Sequence, residues 1–360
     1  MSPAPVILVE KLIYLCYNTM QELAAFDIIN IKVHGELKFC KKYKVKGSIG
    51  AIMIQGVVAV IAASVAYGFL PVFCKFALDA GMSSASVVFW RYFLACVVMA
   101  GIMCIKKVSF RVTKAQLAQL CLFGLLGSGI TSLLLTVAYQ YIPIGLATMF
   151  HFAYPLFVTF IMIAMFREKA TVFKCLSMAA ALGGLWLMAD FSKGISLPGV
   201  VFAVLSGLTY AVYIIATRKS AFAVLPIFTT LFYVTFFSSL FFSFQQLITG
   251  SFLLPPSAKA WMSVAATSLL CTVFALCLLM WGIQQLGPVT ASVLNMIEPV
   301  TSVVAGIAIF NDKLSLKSLL GCLLIVSSAL LISMDAKRSA LRSKEAKKET
   351  PAVLKGGECL

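Results

Sequence analysis

Glu298 stands near the middle of a long apolar run, and no other carboxylate lies that deep in any such run. Asn295 and Ser292 precede it at steps of three, and Ser302 continues the pattern beyond Pro299. A second run carries the same signature, with Thr148, His151 and Tyr154 at steps of three beside Pro155. Three-residue spacing places each set along one helix face. A polar face turned toward lipid is costly, so both sets are expected to face the protein interior or a water-filled cavity. Each proline removes a backbone hydrogen bond and kinks or loosens its helix. A carboxylate held there can take up the amino group of a solute, or a proton. The same residue also suits a structural ion pair with Arg91, or a protonated carboxyl bonded to Asn295. Arg91 can clamp a carboxylate through its planar fork, or tie helices together through backbone carbonyls. His151 suits proton relay near neutral pH and equally suits hydrogen-bonded packing. Tyr67 and Tyr210 either line the same cavity or pack as ordinary membrane aromatics.

The elements that position these groups are membrane spans. Of the 360 residues, 61% are hydrophobic and 12% charged, against about 45–50% and about 25% in a soluble domain. A helix crosses the ~30 Å hydrocarbon layer with ~20 apolar residues. Ten segments qualify: 52–77, 85–105, 116–138, 144–166, 172–190, 198–217, 225–248, 260–283, 289–310 and 316–334. Residues 1–47 are interrupted by Glu10, Lys11, Glu22 and Asp27, each costing about 2.5–3.5 kcal/mol at a span centre. They read as an amphipathic or loosely ordered leader on the membrane surface, or as lying upstream of a start at Met53. Residues 336–360 read as a basic tail.

The formal net charge of +16 does not point to nucleic acid, because the charges flank the spans. With the N-terminus inside, residues 38–46, the inner loops and residues 337–348 together hold 20 Lys and Arg, and the outer loops hold 4. Both termini are therefore expected in the cytoplasm. The eleven cysteines are scattered singly, so neither a disulfide framework nor a metal site is expected. No HExxH, Ser/Lys pair, carboxylate cluster or phosphate-binding loop occurs, so no catalytic residue and no cofactor is expected. No segment is large enough for a soluble output domain.

Residues 138–188 align without a gap on 282–332, an offset of 144, with about nine of 51 positions identical. Each half holds five spans. An odd number reverses the second half relative to the first, and inverted repeats place a solute site near the midplane. The expected fold is an all-α membrane protein of ten transmembrane helices in two inverted five-helix repeats, 48–192 and 193–335. Tyr67 and Tyr210 correspond at an offset of 143, as do Lys75 and Arg218, whose position near helix ends suits snorkelling to the interface. Glu168 and Asp312, with Thr171 and Ser315, read as loop and N-cap residues.

Two five-span units, each with Pro, a long apolar run, an acidic residue and Lys, resemble the EamA family of the drug/metabolite transporter superfamily. The stretches concerned are Ala153-Tyr-Pro-Leu-Phe through Phe166-Arg-Glu-Lys, and Ile297-Glu-Pro-Val through Phe310-Asn-Asp-Lys. Ala66-Tyr-Gly-Phe resembles that family's Trp-Gly pair with Tyr67 in place of Trp, and Phe89-Trp-Arg-Tyr also fits. Asp312 replaces the family's common Glu. The resemblance covers about 50–335 and implies a central cavity, a bacterial plasma (inner) membrane, and export or exchange of amino acids or other small metabolites. Its partners are then a small solute, protons if coupled, and the bilayer, with the oligomeric state open. Multidrug or cation efflux and nucleotide-sugar exchange are alternatives within the superfamily.

Overall fold

A computed structural model describes residues 49–168, 171–189, 196–250, 253–311 and 315–349. The leader and the end of the tail lie outside them. In hydrocarbon every backbone polar group must be satisfied within its own segment, which leaves helices as the solution for runs of this kind. Among the described residues there is no strand. Nine helices among the described residues are long and apolar enough to cross a membrane: α1 (Met53–Asp79), α2 (Ser84–Lys106), α3 (Lys114–Ala138), α4 (Gly145–Phe166), α6 (Leu197–Lys219), α7 (Ile227–Thr249), α8 (Ala258–Leu286), α9 (Pro288–Phe310) and α10 (Leu316–Arg338). Between them α5 (Val172–Met188) has 17 residues, about the shortest length that spans. The protein is an integral membrane protein.

Capping is local chemistry that fixes where these helices begin. Ser83, Thr113, Thr171 and Ser257 each accept a hydrogen bond from a backbone N–H of the first turn, satisfying donors that no helix residue can. At the far ends Lys107, Arg167 and Asn311 adopt the left-handed conformation. α10 differs from the expected 316–334, because its helix runs on to Glu349. The reason is composition: the segment Ala336-Lys-Arg-Ser-Ala-Leu-Arg-Ser-Lys-Glu-Ala-Lys-Lys-Glu is built largely of strong helix formers.

The backbone repeats more faithfully than the side chains do. α3 and α8 each contain a π turn, Leu125–Ile130 and Leu269–Phe274, 144 residues apart. α4 breaks after His151 and resumes at Tyr154, and α9 breaks after Asn295 and resumes at Glu298, again 144 residues on. Packing follows the same symmetry. α5 lies against α10, α2 against α7 and α4 against α9, each helix beside its own counterpart. The α1–α8 contact has its equivalent in α3–α6. Such pairing is that of a two-fold axis, and five spans per unit put this axis in the membrane plane.

Close approach is bought by glycine. Gly184 and Gly321 face each other where α5 crosses α10, each Cα near the other's carbonyl oxygen. Small residues at such crossings let helix backbones meet without a hydrophobic driving force. Gly127, inside the α3 π turn, leaves no room for a Cβ because the Tyr213 ring of α6 fills the space. Gly127→Val should therefore destabilise the protein by about 1–3 kcal/mol, read as a fall in unfolding temperature in detergent. Gly101→Val, at a site with nothing within 4 Å, should change it little.

Candidate functional site

The two broken helices α4 and α9 meet in mid-bundle, and their polar faces form one seam. Pro155 and Pro299 occupy the second position of the resumed helices, where a missing N–H is tolerated. Upstream, the carbonyls of His151 and Asn295 lose the donor that residue 155 or 299 would otherwise supply. The His151 carbonyl is approached instead by Gly207 of α6, where a Cβ would come within 2.7 Å of it.

Asn295 organises the seam. Its Nδ2 donates to the Tyr154 hydroxyl at 3.1 Å and to Glu298 Oε2 at 3.4 Å, while its Oδ1 accepts from Ser64 Oγ of α1 at 3.0 Å. The Tyr154 hydroxyl donates to the Ser292 carbonyl at 3.3 Å. Asn295, Tyr154 and Ser292 are buried, whereas Glu298 is half-buried. The ring of Tyr210 (α6) meets Tyr154 edge-on with centroids 4.9 Å apart, and lies 5.5 Å from the His151 ring.

His151 Nδ1 lies 2.9 Å from Ser206 Oγ, whose hydroxyl also reaches the Ala203 carbonyl at 2.6 Å.

Glu298 and Arg91 are not joined. The ion pair found among the described residues is Lys174–Glu168 at 2.8 Å, and no salt bridge links Glu298 to Arg91. The structural pairing considered for them is thus not what this structure contains. Arg91 instead donates Nε to Thr272 Oγ1 at 2.7 Å, and Thr272 sits within the α8 π turn. Among the described residues no hydrogen bond engages its Nη groups. Its charge acts on Tyr67, buried on α1, and on Glu298. A desolvated carboxylate and a guanidinium with a vacant fork therefore share one polar region without neutralising each other.

Two site residues lie apart from this network. Thr148 bonds Tyr139, and Tyr67 packs within the main core cluster. Toward the ends of α4 and α6, a cavity of about 280 Å³ opens against the α8–α9 turn, with Phe166, Glu168, Arg218 and Lys219 in its wall. Arg218 is not a free snorkelling group, since its Nη1 donates to the Ile283 carbonyl near the end of α8 at 2.9 Å.

The profile of the EamA-like transporter family matches residues 54–189 and again 197–334. This chain belongs to that family. An uncharacterized transporter, sll1319 of Synechocystis sp., is 28% identical over 207 residues. That alignment takes in 55% of this chain and 61% of the relative, so the chain spans about three fifths of the length of the curated relative it matches. A crystal structure of a protein superposes with a TM-score of 0.68 at 16% identity, covering 79% of this chain and 98% of its own. That likeness shows the fold alone.

In this EamA-like chain three seam residues escape a sequence reading. Ser64, Ser206 and Thr272 carry no charge and sit within apolar runs, so nothing in spacing distinguishes them. They are found through their partners Asn295, His151 and Arg91.

Proposed function

We propose that the chain is a secondary carrier for a small zwitterionic, amino-acid-like solute, worked by alternating access. One observation carries this reading: among the described residues Glu298 has no salt-bridge partner, while Arg91 is held through Nε and against the Tyr92 ring 5.2 Å away, with no hydrogen bond on its Nη groups. A zwitterion supplies both missing partners, its amino group to Glu298 and its carboxylate to the Arg91 fork. A half-helix end at each break and a shared midplane seam are the features of carriers built from inverted repeats. With no solute bound, Glu298 takes up a proton, which couples solute movement to a pH gradient. The positive-inside distribution of Lys and Arg supports both termini in the cytoplasm, and membership of the EamA-like transporter family is what supports a bacterial plasma membrane and net movement outward. Cation efflux is the second reading, because tyrosines and one carboxylate also suit a cationic drug; the unoccupied Arg91 fork argues against it.

Counterflow in proteoliposomes tests the choice. The protein should exchange preloaded amino acids and respond to an imposed pH gradient. Exchange of cationic drugs alone, with amino acids inert, would refute the zwitterion reading.

A further inference from the structure

Phe166 and Phe310 are counterparts at the 144-residue spacing of the broken helices, and Lys75 and Lys219 stand at that same spacing. The structure pairs them crosswise. Lys75 Nζ lies 3.9 Å from the centroid of the Phe310 ring, and Lys219 Nζ lies 4.8 Å from that of Phe166. Both are within the range of a cation–π contact. One ties the end of α1 to the end of α9. The other ties the end of α6 to the end of α4, on the opposite face of the bundle. A lysine that only snorkelled would extend along lipid toward the headgroups and would not need an aromatic ring on the facing helix.

The two ends are not equally shut. At the α1–α9 end, Phe76 meets Phe310 edge-on at 5.6 Å and Lys259 lies 5.5 Å from the Phe76 ring. At the α4–α6 end the contact is longer, and both Phe166 and Lys219 border the 280 Å³ cavity.

We propose that Lys75–Phe310 and Lys219–Phe166 are paired latches, one on each mouth of the solute path. The structure is then a state with the α1–α9 mouth latched and the α4–α6 mouth partly open. This rests on the carrier reading, in which the two mouths must open in turn. A cation–π contact suits the task because it is weak enough to break on every cycle. Latches of the same chemistry on both mouths also let one fold hold two states close in free energy.

The test uses Thr301→Cys on α9 and Phe157→Cys on α4 as reporters, both half-buried between the seam and a mouth. The full chain is reconstituted, treated with a membrane-impermeant maleimide applied in separate samples from each side, and read at the reporter peptide by mass spectrometry. Lys75→Gln should raise labelling of the Thr301→Cys reporter about three- to tenfold and lower that of Phe157→Cys. Lys219→Gln should do the reverse. Lys75→Arg and Lys219→Arg keep the cation and should label like the parent. No shift, a rise at both reporters, or equal shifts with Gln and Arg would overturn the latches. Labelling needs no solute. Opposed shifts in a chain that moves none of the tested solutes would therefore uphold the latches while the zwitterion reading failed. Normal exchange with no shift would remove the latches alone.

Discussion

Glu298→Gln should reach the membrane folded and lose solute exchange. The substitution keeps the size of the side chain and its reach to Asn295 Nδ2, but removes the charge. Truncating one partner of a desolvated charge pair costs about 2–5 kcal/mol, so apparent affinity for a zwitterion should fall by at least ~30-fold. Any dependence of exchange on pH that Glu298 supplies should vanish as well, since glutamine does not titrate. Stability should move the other way. A half-buried carboxylate without a counter-cation is a cost to the empty protein, so the variant should unfold at an equal or higher temperature, the trade-off expected of a binding residue. Counterflow rates across a pH series, with unfolding temperature in detergent, check both halves. A variant with wild-type rate and pH profile removes Glu298 from the site.

Arg91→Lys should produce the second large effect. It retains the charge but loses the planar fork, which lysine cannot reproduce. Half-saturation for an amino acid should rise about tenfold or more, whereas that for the corresponding amine lacking the carboxylate should change little. Thr272→Val leaves Arg91 in place but unties its Nε. A hydrogen bond to a charged group contributes about 1.5–3 kcal/mol, and a flexible arginine recovers part of this through the solute. The Thr272→Val rise should therefore be the smaller of the two, with the same selectivity for the carboxylate. Equal losses for amino acid and amine would show that Arg91 merely holds α2 to α8.

Much of this arrangement was legible in the chain. The spans follow from hydrocarbon thickness, and the Thr148/His151/Tyr154 and Ser292/Asn295/Glu298 stripes follow from helical periodicity beside a proline. The location of the helix breaks is also legible, because proline fixes which carbonyl loses its donor. What Arg91 touches was not legible. Its partner lies 181 residues away on a π turn, and a π turn leaves no mark in composition. The aligned region 138–188 also stops short of α1 and α6, so Lys75 was matched there to Arg218. The structure shows instead that Lys219 plays the equivalent part, with Arg218 bound to the Ile283 carbonyl. The α4–α6 cavity was likewise hidden, since its walls come from three separated segments.

The seam, the latches and the exchange of states all require the second five-helix unit to be inverted with respect to the first. Arg167 and Asn311 are counterparts in the repeat, both exposed and both left-handed at a helix end. Arg167→Cys and Asn311→Cys, each probed in sealed vesicles with an impermeant thiol reagent, should react from opposite sides of the membrane. Reaction of both from the same side would contradict the inverted duplication and everything built on it.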